Sequence, residues 1–207
     1  MAIKFFPLTA VKWFPSLLVM LSVTALAGCA APFDAAKRTQ VEGQLTIEMD
    51  GNSAYLSGVL GRDLVEQLSG LVRKYPNVTD LILVDVPGSV DQQATMEGAR
   101  LIRRLGLNTH IASTGYVLSG GVDLFLGGVE RSIGAGAGVG VHTWSDGTRL
   151  KAINLNKTDP VHAVYVNFYL EMGVPESFYW FSLDAAPADR VYFLSPEEVY
   201  DFQLATE

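Results

Sequence analysis

The sequence is poor in cysteine, histidine and charge. Among 207 residues it has one Cys and three His, and 22 acidic side chains outnumber 15 basic ones. A single cysteine excludes an internal disulfide framework and a zinc site built from cysteine pairs. With a formal net charge of −7, the chain has no general electrostatic attraction for nucleic acid, whose phosphates bind clustered Lys and Arg. Hydrophobic residues, in contrast, make up 49% of the chain, and this content is typical of a folded globular protein.

Segment 1–28 is predicted to be an export signal. It carries Lys4 and Lys12, no acidic residue, and an apolar run at 17–26. A positive start, a short apolar core and small residues near the end are typical of a secretory signal. The alternative is an uncleaved anchor helix, because 13–31 is nearly long enough to cross a bilayer.

The one cysteine, Cys29, directly follows Leu-Ala-Gly. This pattern resembles the lipobox of bacterial lipoproteins, in which the signal is removed before the Cys and the sulfur is lipidated. The resemblance implies an extracytoplasmic protein on the periplasmic side of a membrane, anchored by lipid at its N-terminus. Ala30 after the cysteine, in place of Asp, favours the outer membrane. We expect a small, polar tether at 30–43 and a single domain at 44–207.

Hydrophobic periodicity in the mature chain alternates between strand and helix patterns, which indicates α/β architecture with parallel pairing. The apolar run 81–84 is predicted to be a strand buried on both faces. A further segment at 176–183 precedes the last strand, and its aromatic residues, with those of 168–169, are interpreted as core. Strands are predicted at 44–49, 54–60, 81–84, 109–112, within 132–141 and at 192–194, and helices at 62–75, 91–105, 120–126, 160–172 and 196–202.

Ser119 stands at a predicted strand-to-helix junction and is followed by Gly120 and Gly121. A serine at this position is most often a helix cap. It is also where a nucleophile would lie beside exposed backbone N–H groups, with glycines leaving room for a substrate carbonyl. Asp123 lies one turn further along on the same helix face as Ser119; a place near the site is the alternative, and capping or exposure to solvent is favoured. The segment alone leaves both interpretations of Ser119 open.

A candidate base follows at His142, after the apolar run 139–141. A neutral imidazole is the usual acceptor for a serine proton near pH 7. His110 and His162 are interpreted as structural, with His162 on a polar helix face. The glycine-rich stretch 134–140 lacks the spacing of a nucleotide-binding loop and leads into a strand.

The order of residues argues against a classical α/β hydrolase. That fold needs Gly-x-Ser-x-Gly, and Val117 stands where the first glycine belongs. Its histidine also follows the acidic residue near the C-terminus, whereas the last histidine here is His162.

Four segments between 81 and 204 together resemble the Clp protease proteolytic subunit/crotonase superfamily, particularly its periplasmic Clp-like members. The resemblance implies an α/β fold, the ClpP/crotonase-like superhelix of repeated β-β-α units. These segments are Leu-Ile-Leu-Val-Asp-Val-Pro-Gly-Ser-Val at 81–90, Ser-Gly-Gly at 119–121 with Phe-Leu-Gly-Gly at 125–128, Gly-Val-His at 140–142, and Phe-Leu-Ser-Pro-Glu-Glu-Val at 193–199.

The resemblance also implies a catalytic site. Ser119 would be the nucleophile, His142 the general base, and Asp189 the third member, with Asp184 as the alternative. An oxyanion hole would form from the backbone N–H of Gly120 and of Gly88 or Ser89. The sequence departs from the family pattern at Ser89, where a second glycine is expected.

Two functions are weighed against each other. The first is an exported, peptidase-like serine hydrolase that forms an acyl-enzyme on a peptide or other acyl substrate, without metal or cofactor. A peptide would then pair as an added strand with the edge at 88–90. The second is a non-catalytic lipoprotein that uses the same fold as a binding or assembly module. The resemblance further implies assembly into a homo-oligomer, whose size the sequence does not fix.

Overall fold

A computed structural model describes residues 44–145 and 152–206. The predicted signal, the lipidation site Cys29 and the tether lie outside these residues. Within the two described ranges, no helix has both the length and the apolar character needed to cross a bilayer. All described residues belong to one compact unit, Phe33–Glu207.

The described residues form strands and helices in an alternating order close to the predicted one. The strands are β1 (Leu45–Asp50), β2 (Ser53–Gly58), β3 (Asp80–Val86), β4 (Asn108–Leu118), β5 (Arg131–Ile133), β6 (Gly138–Val141) and β7 (Tyr192–Phe193). The α-helices are α1 (Leu64–Lys74), α2 (Gln92–Arg104), α3 (Gly120–Phe125), α4 (Pro160–Glu171), α5 (Glu176–Ala185) and α6 (Pro196–Asp201), and a 3-10 turn spans Ala152–Asn154.

All the named strands join one sheet, in the order β1-β2-β3-β4-β6-β7, with β5 also paired to β4. The hairpin β1–β2 and the last pair, β6–β7, are antiparallel, whereas β2, β3, β4, β5 and β6 pair in parallel. Parallel neighbours need crossover connections, and the helices between the strands supply them. The predicted α/β architecture is confirmed.

Strand β4 is longer than predicted and changes partner along its length. Leu83 of β3 pairs with Ile111, but Asp85 pairs with Tyr116, so the residues between are bulged out of register. Before the bulge β4 pairs with β5, and after it β4 pairs with β6. The bulge therefore separates the part of β4 that pairs with β5 from the part that pairs with β6 and leads to Ser119 at the start of α3.

The core lies against one face of the central strand β3. Leu81 and Leu83 are fully buried, whereas Ile82 and Val84 are half-buried. The prediction that this strand is buried on both faces is therefore wrong for its second face. Helix α1 packs on α2 and α2 on α3, with a fully buried stripe on α1 formed by Leu64 and Leu68.

Candidate active site

Ser119 is held in a backbone conformation that disfavours a side chain. Its φ is 53° and its ψ is −127°, and its N–H donates to the Gly140 carbonyl at 2.9 Å as β4 ends. Such a conformation costs a non-glycine residue about 1–3 kcal/mol and is concentrated at functional sites. The hydroxyl makes no capping hydrogen bond to α3. Ser119 therefore occupies the N-cap position of α3, as its place at the junction predicts, but its side chain does not cap the helix, and its strained backbone needs another explanation.

His142 leaves the end of β6 half-buried, with its imidazole held by one backbone contact. Nδ1 lies 2.8 Å from the carbonyl oxygen of Thr143. A carbonyl can only accept, so Nδ1 donates its hydrogen, and Nε2 of the neutral ring keeps a free lone pair. Ser119 and His142 line the same cavity of about 40 Å³. Within the part of the chain that the structure describes, no hydrogen bond joins the two side chains.

The loop 87–90 lies directly against Ser119. Gly88 has a φ of 143°, and a side chain there would contact Ser119, with 3.4 Å between the two Cβ atoms. On one side the loop pairs with Leu60, whose N–H donates to the Gly88 carbonyl at 2.9 Å and whose carbonyl accepts from Val90 at 3.0 Å. That side of the predicted peptide-binding edge is therefore occupied by the protein's own chain.

Ser89 packs against the backbone of Gly120. A Cβ added to Gly120 would lie 2.8 Å from the Ser89 Cβ and 3.3 Å from the Ser89 backbone nitrogen. The structure thus brings the three predicted oxyanion-hole residues, Gly88, Ser89 and Gly120, to one place beside Ser119. The side chain of Ser89, which a glycine at this position would lack, fills space beside the first residue of α3.

This close packing predicts that Gly120→Ala destabilises the protein and that Ser89→Gly rescues it. Overpacking of this kind costs about 1–3 kcal/mol, and removing the Ser89 side chain removes the atoms that the new methyl meets. Urea unfolding of the wild type, both single variants and the double variant measures the coupling. If Gly120→Ala destabilises the Ser89→Gly background just as strongly, the packing described here is incorrect.

The structure does not bring Asp189 or Asp184 to the cavity. Asp189 is exposed in a turn closed by a hydrogen bond from the Arg190 N–H to the Pro187 carbonyl, and Asp184 is exposed on α5. In the antiparallel pair β6–β7, Val141 lies opposite Tyr192. Asp189 precedes Tyr192 by three residues, so it lies past the position opposite His142. The Thr143 carbonyl contacts Nδ1 where the prediction put a carboxylate.

Asp123 lies in the cavity wall instead of capping a helix or facing solvent, so that expectation is wrong. It is 6% exposed. Gln92 Nε2 donates to its Oδ2 at 2.6 Å, and the Tyr169 hydroxyl donates to its Oδ1 at 2.7 Å. Burial raises the pKa of the carboxyl, and the two hydrogen bonds offset part of that rise. The signal was present in the sequence, since a spacing of four puts Asp123 on the Ser119 face of α3.

Gln92 and Tyr169 were not identified from the sequence. The Ser89 hydroxyl donates to Gln92 Oε1 at 3.3 Å, while the other end of the Gln92 amide holds Asp123. A continuous set of hydrogen bonds therefore links α4, α3 and α2 to the loop beside the nucleophile. It positions that loop from three separate elements.

The far wall of the cavity is aromatic, and a second buried histidine supports it. Trp144 Nε1 donates to the Tyr179 hydroxyl at 3.1 Å, and the same hydroxyl is hydrogen-bonded to His162 Nδ1 at 2.7 Å. Burial raises the pKa of Tyr179 to about 12. His162 is 3% exposed, so its predicted place on a polar face is wrong. His110 bonds Ser132 and Asp80 within the sheet.

A serine hydroxyl, an imidazole lone pair and nearby backbone N–H groups are the components of acyl transfer. Among residues 44–145 and 152–206, no group of three or more Cys, His, Asp or Glu side chains is arranged to hold a metal ion.

The sheet topology, with the serine at the β4–α3 junction, defines the ClpP/crotonase-like α/β fold, and solved structures of that fold confirm the prediction. A serine-to-alanine mutant of the 1510-N membrane-bound stomatin-specific protease has a TM-score of 0.52 and 14% identity, over 74% of this chain and 76% of that one. A mutant of ClpP1 from Listeria monocytogenes has a TM-score of 0.50 and 14% identity, over 75% of this chain and 90% of that one.

A third structure, enoyl-CoA hydratase from Thermoplasma volcanium GSS1, has a TM-score of 0.47 and 14% identity, over 79% of this chain and 70% of that one. No family model matches the sequence, and a search of curated proteins also finds no match. Likeness at 14% identity shows the fold, and the residues themselves must support any function.

Proposed function

We propose that the protein is a serine hydrolase, peptidase-like in substrate class, that forms an acyl-enzyme on Ser119. One observation carries the proposal. The strained Ser119, whose hydroxyl makes no capping bond, lines the same cavity as His142, whose Nδ1 contacts the Thr143 carbonyl, so that Nε2 of the neutral imidazole can accept a proton. The fold is also that of a protease and of ClpP1, which supports the hydrolase class.

In the proposed reaction, Ser119 Oγ attacks the substrate carbonyl carbon while His142 Nε2 takes the hydroxyl proton. The negative charge on the carbonyl oxygen is stabilised by the N–H of Gly120 and of Gly88 or Ser89, a contribution worth about 3 kcal/mol per donor. The imidazolium then gives its proton to the leaving group, and the acyl group stays on Ser119. Water then attacks the acyl carbon while the same imidazole takes its proton, and that proton passes to Ser119 Oγ as the acyl–oxygen bond breaks and the acid leaves.

The Thr143 carbonyl performs part of the role that a third acidic residue has in other serine hydrolases. It fixes the hydrogen of His142 on Nδ1 and orients the ring. Because a carbonyl carries no full charge, it stabilises the imidazolium less than a carboxylate would. We therefore propose a Ser119–His142 dyad held by a backbone acceptor.

Reaction with an active-site fluorophosphonate tests the proposal. The probe is expected to modify Ser119 of the mature domain, as mapped by mass spectrometry, and to leave Ser119→Ala unmodified. Ser182 is an internal control, because it lines the same cavity but its hydroxyl donates to the Tyr179 carbonyl at 2.8 Å. A folded sample with no modified serine, or with the probe on Ser182, would contradict the proposal.

The second candidate, a non-catalytic binding or assembly module, rests on a specific observation. The side chain of Ser89 packs where a glycine would leave space beside Gly120, and an obstructed oxyanion hole would suppress catalysis. The same probe separates the two functions, because a binding module has no activated serine to label.

We also propose that the chain is exported and anchored by lipid on Cys29, on the strength of the N-terminal sequence. Metabolic labelling with a clickable fatty acid is expected to mark the wild type and not Cys29→Ser, which should leave the membrane fraction.

Homo-oligomer formation is likewise a proposal, based on the resemblance, and native mass spectrometry of the mature domain measures it.

A further inference from the structure

Asp123 is a buried carboxylate that has no cationic partner among the described residues. The ion pairs found there join Arg62 to Asp91, Arg100 to Glu171 and His110 to Asp80. Asp123 instead receives two neutral hydrogen bonds, from Gln92 and Tyr169. A charge removed from water without an opposite charge is strongly unfavourable. The mechanism above does not use this group, so its position calls for an explanation.

The carboxylate still has capacity for a ligand. An ionised carboxyl accepts about four hydrogen bonds, and two donors reach this one from residues 44–145 and 152–206. Asp123 lines the cavity that contains Ser119 and His142. It lies one helical turn after Ser119, so a group bound to it would be only a few bonds from a carbonyl attacked by the serine.

We propose that this cavity is a subsite for an alkylammonium group on the acyl part of the substrate, with Asp123 as its counter-ion. The inference rests on the proposed hydrolase function and deepens it by naming a substrate class. Tyr165, Tyr169 and Tyr179 supply apolar ring surface for the carbon chain of such a group. The cavity volume of about 40 Å³ fits a short chain. Burial raises the pKa of Asp123, and a bound cation would oppose that rise.

An alkylammonium can be the free α-amino group of an aminoacyl substrate or the side chain of a basic residue. Two pairs of thiobenzyl esters distinguish these sources: alanine against N-acetylalanine, and N-acetylornithine against N-acetylnorvaline. For one of the two pairs, the wild-type kcat/KM for the cationic ester is expected to exceed that for the neutral ester by roughly 30-fold or more, because a buried charge pair would contribute that much. This comparison needs no variant, so it stands even if substitution of Asp123 impairs folding.

The variant Asp123→Asn is expected to lose that preference, because the amide carries no charge, although its oxygen can still accept from Gln92 and its NH2 group can donate to the Tyr169 hydroxyl. The matched control Glu97→Gln, at an exposed carboxylate on α2, should keep it. Equal kcat/KM for the cationic and neutral members of both pairs, or a preference that survives in Asp123→Asn, would overturn the inference while leaving the hydrolase intact.

Binding gives a readout that does not depend on catalysis. Ser119→Ala is expected to gain thermal stability from n-butylammonium and not from n-butanol, and Ser119→Ala combined with Asp123→Asn should gain from neither. If no ester is hydrolysed but the ammonium binds through Asp123, the proposed hydrolase function fails and the cation site stands. If the ammonium does not bind, the inference is wrong.

Discussion

Ser119→Ala and His142→Gln are each expected to lower kcat for hydrolysis of an activated ester by about 10³- to 10⁴-fold, and the double variant should be no slower than either. The non-additivity is the important part. Without the imidazole the hydroxyl is not activated, and without the hydroxyl the imidazole has no proton to take. Initial rates with p-nitrophenyl acetate, under saturating conditions, measure the effect.

His110→Gln is the matched control for this prediction. His110 is also half-buried and hydrogen-bonded, but it lies within the sheet between Asp80 and Ser132, and its substitution should leave the rate unchanged. Losses that multiply in the double variant would show that Ser119 and His142 act independently. A rate for Ser119→Ala equal to that of the wild type would exclude Ser119 as the nucleophile.

Arg131→Met is expected to cause a large loss of stability. Arg131 is 4% exposed, and its guanidinium donates to the carbonyls of Leu204 at 2.7 Å, Gln203 at 3.0 Å and Met172 at 3.1 Å. Hydrogen bonds from a charged donor are individually strong, and their removal leaves buried acceptors unpaired. This single side chain therefore ties the last turn of the chain and the end of α4 to strand β5.

The net loss is smaller than the sum of these bonds, because the charge itself is costly to bury. Burial and, to a lesser extent, the nearby positive charge of Arg103 together lower the pKa of Arg131 to about 10. Methionine removes that penalty along with the bonds, so we expect a decrease of about 2–4 kcal/mol in the free energy of unfolding. The urea midpoint, at unchanged slope, measures it.

Arg190→Met is the corresponding control, since Arg190 is exposed. It should shift the midpoint little, as surface substitutions generally do. If both variants unfold at the wild-type midpoint, the buried guanidinium does not hold the C-terminal residues as described.

Local sequence patterns were sufficient for most elements but not for strand β4. Its predicted end at 112 follows from the Ser-Thr-Gly that comes next, which is typical of a turn. In the structure those residues form a bulge, and the strand resumes because Tyr116 and Val117 pair with Gly138 and Val139 of β6. That pairing joins segments far apart in sequence, so no local pattern could reveal it.

The site shows the same division between local and distant information. The junction at Ser119 and the exit of His142 from β6 follow from neighbouring residues. The environment of Asp123 does not, because Tyr169, which contacts it, is 46 positions away. Helical spacing gives the face on which a side chain lies, whereas the element that covers the face is set by tertiary packing. The predicted position of Asp189 failed for this reason, since the turn after α5 directs it to solvent.

The most direct test of the central claim is to trap the covalent intermediate. The mature domain, mixed with p-nitrophenyl acetate and quenched in acid within the first turnover, should carry one acetyl group, mapped by mass spectrometry to Ser119. The release of p-nitrophenol should show a matching burst that His142→Gln abolishes. An acetyl group on any other residue, or a burst that persists without His142, would contradict the assignment of Ser119 as nucleophile and His142 as its base.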